Sequence, residues 1–254
     1  MKKMNKGVKK MNRGVLYIAF GDNFIKEMLF SAESVKRHCP GLHITVFADR
    51  EIKSDFVDDY KIIKVNHLRP KVDYVHLSPY KQTIFLDTDT IIDYDITEMY
   101  EILEKYDFAI CHDLARKRDN ICHQIPEYAN IPYMFSEVNP GVMVFAKTEP
   151  VSDFFSLWRK YFYKYFNRWP YEQPTFRVAL WESDLEFYIM PVEYNIRSKQ
   201  NRQKQRNNHS QFGPGHMTPR IYHMHADMRI NKGRYDVGSM EQALKFCKDN
   251  FMEY

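Results

Sequence analysis

Short apolar runs alternate with stretches of helical period along the first 113 residues. Val15–Phe20 reads as a strand and ends in Gly21-Asp22-Asn23. Over Phe24–His38, Phe24, Met28, Leu29, Ala32 and Val35 recur at the spacing of one helix face. Leu42–Phe47 predicts a second strand, with His43 and Thr45 alternating against apolar neighbours, and it closes on Ala48-Asp49. A short strand near Tyr60–Val65 precedes a helix predicted over Lys71–Tyr80. Gln82–Leu86 is the central strand, Ile92–Tyr106 carries a helical pattern, and Phe108–Cys111 is a strand that ends in His112-Asp113. This rhythm predicts an α/β fold, a Rossmann-like, mostly parallel central sheet flanked by helices on both faces.

The second half is less regular. Gly141–Phe145 reads as a strand and Ser152–Trp169 as a helix dense in aromatics. Phe154, Phe155, Trp158, Phe162, Tyr165 and Phe166 form a stripe that belongs to a core rather than to a cofactor pocket. Leu185–Met190 predicts another strand. From Arg197-Ser198-Lys199 to about Gly215 the chain runs polar, with Arg202, Lys204 and Arg206, as a surface loop does. Ile221–His225 reads as a short final strand. Ser239-Met240-Glu241-Gln242 matches a capping box and opens a helix reaching about Phe251.

Size and charge narrow the class. A chain of 254 residues suits one large α/β domain, and 44% hydrophobic content argues for a folded core. Residues 1–13 hold six lysines and arginines and no acid, so +4 in all against +6 there leaves −2 for the rest. A basic, disordered leader over 1–13 and a single domain over 14–254 are therefore expected. A body near neutrality speaks against nucleic acid as partner. The basic tail is able to touch anionic lipid weakly at a membrane surface. No apolar stretch approaches the length of a transmembrane anchor. Cys39, Cys111, Cys122 and Cys247 show neither a C-x-x-C pair nor a zinc rhythm, which fits reduced thiols in a cytoplasmic protein.

The chemistry concentrates at strand ends. In Leu86-Asp87-Thr88-Asp89-Thr90, a buried strand stops at two aspartates spaced i, i+2. Buried carboxylates must be paired, hydrogen-bonded or on a metal, and Mg2+ or Mn2+ commonly bridges one or two carboxylates to substrate phosphates. Open α/β sheets bind ligands beyond the carboxyl ends of their strands. Asp22, Asp49, Asp87, Asp89 and Asp113 all fall there. Neither a G-x-G-x-x-G nor a Walker A loop is present, so a diphosphate bound at this rim needs a metal held by the aspartates.

At this point the chain resembles the nucleotide-sugar-dependent glycosyltransferases of the GT-A fold, near the glycogenin and galactosyltransferase-like group. Leu86-Asp87-Thr88-Asp89 resembles their D-x-D motif, Asn139-Pro140-Gly141-Val142 their asparagine–small–glycine–valine segment, and Glu172-Gln173-Pro174 their aspartate-glutamine-proline segment. Tyr194-Asn195-Ile196-Arg197 resembles a later asparagine–arginine block, and His223-Met224-His225 the C-terminal histidine strand. The resemblance implies that Asp87 and Asp89, with His223 or His225, hold Mn2+ (or Mg2+). It implies a nucleoside diphosphate sugar donor, by analogy a UDP-sugar, lined by Phe20, Asp49, Lys71, Thr88, Asn139, Gly141, Gln173 and Arg197. Asp113 is expected to accept hydrogen bonds from donor-sugar hydroxyls, and the acceptor is a hydroxyl of a glycan or glycoprotein. His223 and His225 equally suit paired core or surface histidines, and Gln173-Pro174 equally suits a helix start.

Inverting transfer requires a carboxylate base near the acceptor hydroxyl, for which Glu172 and Asp184 are the candidates, whereas retaining transfer does not. Two departures from the family pattern bear on this. Glu172 stands where an aspartate is usual, and Ala226-Asp227 replaces a glycine-lysine continuation, leaving Arg229 or Lys232 as the nearby cations. The alternatives to a transferase are a nucleotidyltransferase, which usually carries a glycine-rich basic loop after the first strand, and a non-catalytic protein that binds nucleotide sugars or glycans.

Overall fold

The computed structural model describes residues 12–113, 117–197, 218–223 and 242. The first strand, β1 (Arg13–Ala19), is followed by helix α1 (Gly21–His38), β2 (Ile44–Ala48) and β3 (Asp59–Ile62). Short helix α2 (Lys71–Tyr74) leads through a 3-10 turn, Val75–Leu77, into β4 (Gln82–Leu86). A small strand β5 (Thr90–Ile92), a 3-10 segment Thr97–Glu104 and β6 (Phe108–His112) come next. Then follow α3 (Asp119–Cys122), α4 (Pro126–Asn130), β7 (Val138–Ala146), α5 (Glu149–Tyr165), α6 (Glu172–Glu182) and β8 (Phe187–Met190). The last described strand is β9 (Ile221–His223).

Seven strands form the main sheet in the order β3-β2-β1-β4-β7-β6-β8. β1, β2, β3 and β4 run parallel to one another, as does the β6–β8 pair, while β7 is antiparallel to both β4 and β6. The sheet is thus mixed but mostly parallel, and helices cover both faces. Alternate residues of β1 serve opposite cores: Val15, Tyr17 and Ala19 face α1, whereas Leu16 and Ile18 face the cluster that holds α5 and α6. Both sets are buried, which is why the central strands read as unbroken apolar runs.

The aromatic stripe of the sequence is core. Phe154, Phe155, Trp158, Phe162 and Tyr165 of α5 are buried against the sheet and α6. Trp158 also donates its indole N–H to the carbonyl of Glu172 at 3.1 Å, which fixes the first turn of α6. Truncating an aromatic of this kind typically costs about 3–5 kcal/mol. On the opposite face, Asp22 in the first turn of α1 and Lys36, Arg37 and His38 in its last turn complement the helix dipole.

Several predicted elements take a different form in the structure. The helical pattern predicted over Ile92–Tyr106 shortens to the 3-10 helix Thr97–Glu104, and its first residue, Ile92, instead ends β5, which pairs with β9 in a separate two-stranded sheet. The helix expected over Lys71–Tyr80 shortens to α2 and one 3-10 turn. β7 starts at Val138, three residues before the expected strand, despite containing Pro140. Proline lacks an N–H, and the register of β7 against β6 accordingly slips between Ile110 and Cys111, whose partners are Met143 and Asn139. The slip leaves Pro140, Gly141 and Val142 without partners in β6. Gln173 and Pro174 do begin a helix, in the first turn of α6. The polar 198–215 stretch, the capping box and the helix after it lie outside the described residues. No helix among the described residues is long and apolar enough to cross a membrane.

Candidate active site

Three elements deliver the central cluster. β4 ends at Leu86, and Asp87-Thr88-Asp89 makes a tight turn into β5, closed by Thr90 Oγ1 donating to the Asp87 carbonyl at 2.9 Å. β9 lies antiparallel to β5 with His223 opposite Thr90, so the imidazole arrives beside the acids. One ligand atom from each of Asp87, Asp89 and His223 falls within a 4.8 Å cluster. His223 Nε2 stands 3.3 Å from Asp89 Oδ1 and 3.9 Å from Asp87 Oδ2. This donor set, two carboxylates and an imidazole, is a potential site for a divalent cation such as Mn2+ or Mg2+. His225 lies outside the described residues.

Gly141 makes room for this cluster. Its carbonyl accepts the Asp87 backbone N–H at 2.7 Å, so the two chains run in contact. A Cβ at this position lands 2.3 Å from His223 Cε1 and 2.8 Å from both Asp87 Oδ2 and Asn139 Oδ1. Close backbone approach therefore requires glycine here.

Behind the cluster lies a buried cation. Lys71 Nζ is 3.0 Å from each Asp87 oxygen and 3.1 Å from Glu172 Oε1. Arg69 Nε contacts the other Glu172 oxygen at 2.9 Å. Burial alone disfavours the Lys71 charge, but Asp87 and Glu172 outweigh it and raise its pKa. Burial likewise pushes Glu172 upward, and Lys71 and Arg69 reverse the sign, holding its carboxyl below the usual range. Glu172 is thus kept ionised by two cations, which weakens it as a proton acceptor near neutrality.

The cleft in front is lined by Phe20, Phe24, Arg69, Lys71, Asp87, Thr88, Asp89, Asn139, Gln173, Arg197 and His223 together with Trp169, Tyr171 and Glu172. Phe20 and Phe24, both lining it, meet at a tilted angle with centroids 4.9 Å apart. Asp113, buried, receives Arg197 Nη1 and, at 3.4 Å, Asn139 Nδ2, with Arg118 at 3.9 Å. Thr88 Oγ1 donates to Glu27 at 3.1 Å, pinning the acidic turn to α1.

Two sequence candidates sit elsewhere. Asp49 Oδ2 accepts the Gly21 N–H at 3.0 Å and both its oxygens face Arg50. Gly21 takes φ +68°, a value that suits glycine, so Asp49 closes the turn after β1 rather than lining the cleft. Asp184 follows α6 at its far end and borders a separate hollow with Leu103, Asp107 and Glu186. Sequence reading missed Arg69, Arg118, Trp169 and Tyr171. A basic residue two positions before Lys71 was the available sign for Arg69. Asn195 falls in the Tyr194–Arg197 block, but its partners His223 and Asn139 are 28 and 56 residues away, so its role was not readable there.

A mostly parallel sheet of the GT-A type, with an acid–acid–histidine cluster at its rim, is the scaffold of a glycosyltransferase. Residues 37–237 match the family described as nucleotide-diphospho-sugar transferase, and the chain belongs to that family. Solved structures agree on the fold. Galactosyltransferase LgtC, crystallised with donor and acceptor sugar analogues, superposes with a TM-score of 0.61 at 13% identity over 93% of this chain and 95% of its own. Glycosyltransferase GlyE of Streptococcus pneumoniae gives 0.60 at 15% identity, over 93% of this chain and 60% of its own. Mouse xyloside xylosyltransferase 1 gives 0.54 at 12%, over 85% and 98%. No curated protein sequence matches the chain.

Proposed function

We propose that the enzyme transfers a sugar from a nucleoside diphosphate sugar, with UDP as the favoured nucleotide, to a hydroxyl of a glycan or glycoprotein. The observation that carries this reading is the convergence of Asp87, Asp89 and His223 at the rim of one cleft. A Mn2+ or Mg2+ ion held by these three would act as a Lewis acid on the diphosphate leaving group. Carboxylates with imidazole suit Mn2+ better than Ca2+.

The protein's own residues supply the rest. Phe20 and Phe24 offer an aromatic lip for the base. Arg118 and Arg197 bring positive charge into the cleft that receives the phosphates, and Thr88 and Gln173 add polar contacts beside them. Asp113 and Asn139, coupled to each other and to Arg197, face the donor-sugar side, with Gly141 allowing the approach. Trp169 and Tyr171 flank Glu172 where the acceptor enters. Glu172, clamped by Lys71 and Arg69, orients and balances charge rather than removing a proton. Asp184 stands outside the cleft. This arrangement favours transfer with retention, in which a donor phosphate oxygen receives the acceptor's proton.

The test uses purified protein, Mn2+ and a panel of UDP- and GDP-sugars. Slow release of nucleoside diphosphate without acceptor is expected, and the anomeric configuration of the product with acceptor should be retained. Inactivity toward every donor, with no metal-dependent thermal shift from UDP or GDP, overturns the reading.

A further inference from the structure

We infer that Asn195 is a positioning residue that fixes the tautomer of His223, through a chain of buried amides that starts at the backbone of Gly141. The inference rests on the reading of Asp87, Asp89 and His223 as a cation site and assigns the group that prepares it.

The chain begins at a donor whose identity is fixed. The Gly141 backbone N–H can only donate, and the Asn139 side-chain atom 3.1 Å away must therefore be its oxygen. That oxygen also accepts from the Asn195 side chain at 3.0 Å, which makes the Asn195 atom its NH2 group. The remaining Asn195 atom is then the carbonyl oxygen, and it lies 2.8 Å from His223 Nδ1. Facing an acceptor, Nδ1 must carry the proton. In the neutral ring the lone pair is left on Nε2, the atom that faces Asp89 Oδ1 and Asp87 Oδ2. The opposite tautomer sets two acceptors against each other at Nδ1.

The network is dry and held on both sides. Asn139, Asn195 and His223 are 4%, 2% and 3% exposed, so water offers no substitute partner. Backbone bonds set the spacing, since the Ile196 N–H donates to Ile221 and the His223 N–H to Ile196, at 3.0 and 2.9 Å. The far end of the chain is the Asn139 NH2, which reaches Asp113, itself held by Arg197. The imidazole lone pair is thus built in before any ion arrives, and the groups facing the donor sugar and the cation cluster share one hydrogen-bond line. Outer partners of this type typically change metal affinity by about 10–100-fold when removed.

The direct experiment is long-range proton–nitrogen NMR of the wild-type protein without metal and with Mg2+, His223 being assigned against His223→Gln. A neutral ring protonated at Nδ1 is expected, and a neutral ring protonated at Nε2 overturns the inference. Mn2+ titration followed by electron paramagnetic resonance gives the second readout. Asn195→Ala should lower Mn2+ affinity by about 10–100-fold. Asn195→Asp, which keeps an acceptor at Nδ1 but loses the donation to Asn139, should restore metal affinity while leaving the donor KM raised. Unchanged Mn2+ affinity in Asn195→Ala contradicts the inference. Failure of the wild type to take up Mn2+ overturns the metal reading instead, and the NMR result still decides the tautomer.

Discussion

Asp87 and Glu172 share the ammonium of Lys71, yet their surroundings differ in kind. On the Asp87 side, Asp89 and His223 join Asp87 in one cluster beside the Lys71 ammonium. On the Glu172 side, Arg69 adds a second cation and the carboxylate is balanced. Residue type does not separate these roles; the neighbours do. The first arrangement has the donor set of a potential cation site, and the second is balanced by two cations of the protein's own. Lys71 lies between the two and offsets the repulsion of their charges.

Removing that divider should have the largest effect. Lys71→Met leaves two carboxylates facing one another beside a buried gap, and a loss of about 3–5 kcal/mol in stability by denaturant unfolding is expected. The pH dependence has a definite sign. Because the Glu172 pKa is lowered in the fold, its contribution is present above the unfolded value near 4.5 and lost as pH falls through the folded value. Lys71, whose pKa is raised, contributes fully below 10.5 and loses its contribution only as pH rises through its higher folded value. Glu172→Gln should therefore flatten the decline of Tm below about pH 4.5 while leaving the neutral-pH fold intact. An acid limb as steep as in the wild type argues that Glu172 is not the clamped group.

Asp89→Ala acts on the open side. Turnover should fall on the order of 10²–10³-fold, with a Tm close to that of the wild type. Full activity at unchanged Tm removes Asp89 from the chemistry. Gly141→Ala sharpens the comparison further, since its Cβ enters the space between His223, Asn139 and Asp87. A cost of about 1–3 kcal/mol is expected, together with weaker Mn2+ binding. Asp184→Asn should be nearly silent, within about 0.5 kcal/mol in stability and without loss of rate, as suits a residue away from the cleft. A large rate loss there restores Asp184 as the general base.

The sequence carried the rim more fully than the walls. The strand Gln82–Leu86 and the aspartates after it were legible because a buried strand that ends in two acids is a local pattern. Asp87, Asp89 and His223 meet as the resemblance implied, and Lys71 and Asn139 fall beside them. Other features depend on contacts distant in the chain. Glu172 read as a candidate base, and only the arrival of Lys71 and Arg69, about a hundred residues earlier, turns it into a balanced anion. Asp49, read as a base-binding acid, is engaged by the Gly21 N–H and the Arg50 side chain at the end of β2, contacts that the sequence pattern does not show. β5 was not readable from its own residues, since Thr90–Ile92 are extended where they pair with β9 far along the chain. The early start of β7 was hidden by Pro140, which signals a turn locally but here marks a bulge.

One measurement bears on the central claim most directly: anomalous diffraction at the manganese edge from crystals grown with Mn2+ and UDP. A single strong peak enclosed by Asp87, Asp89 and His223, in contact with the diphosphate, is the predicted result. UDP bound in the cleft with no manganese between those three side chains contradicts it.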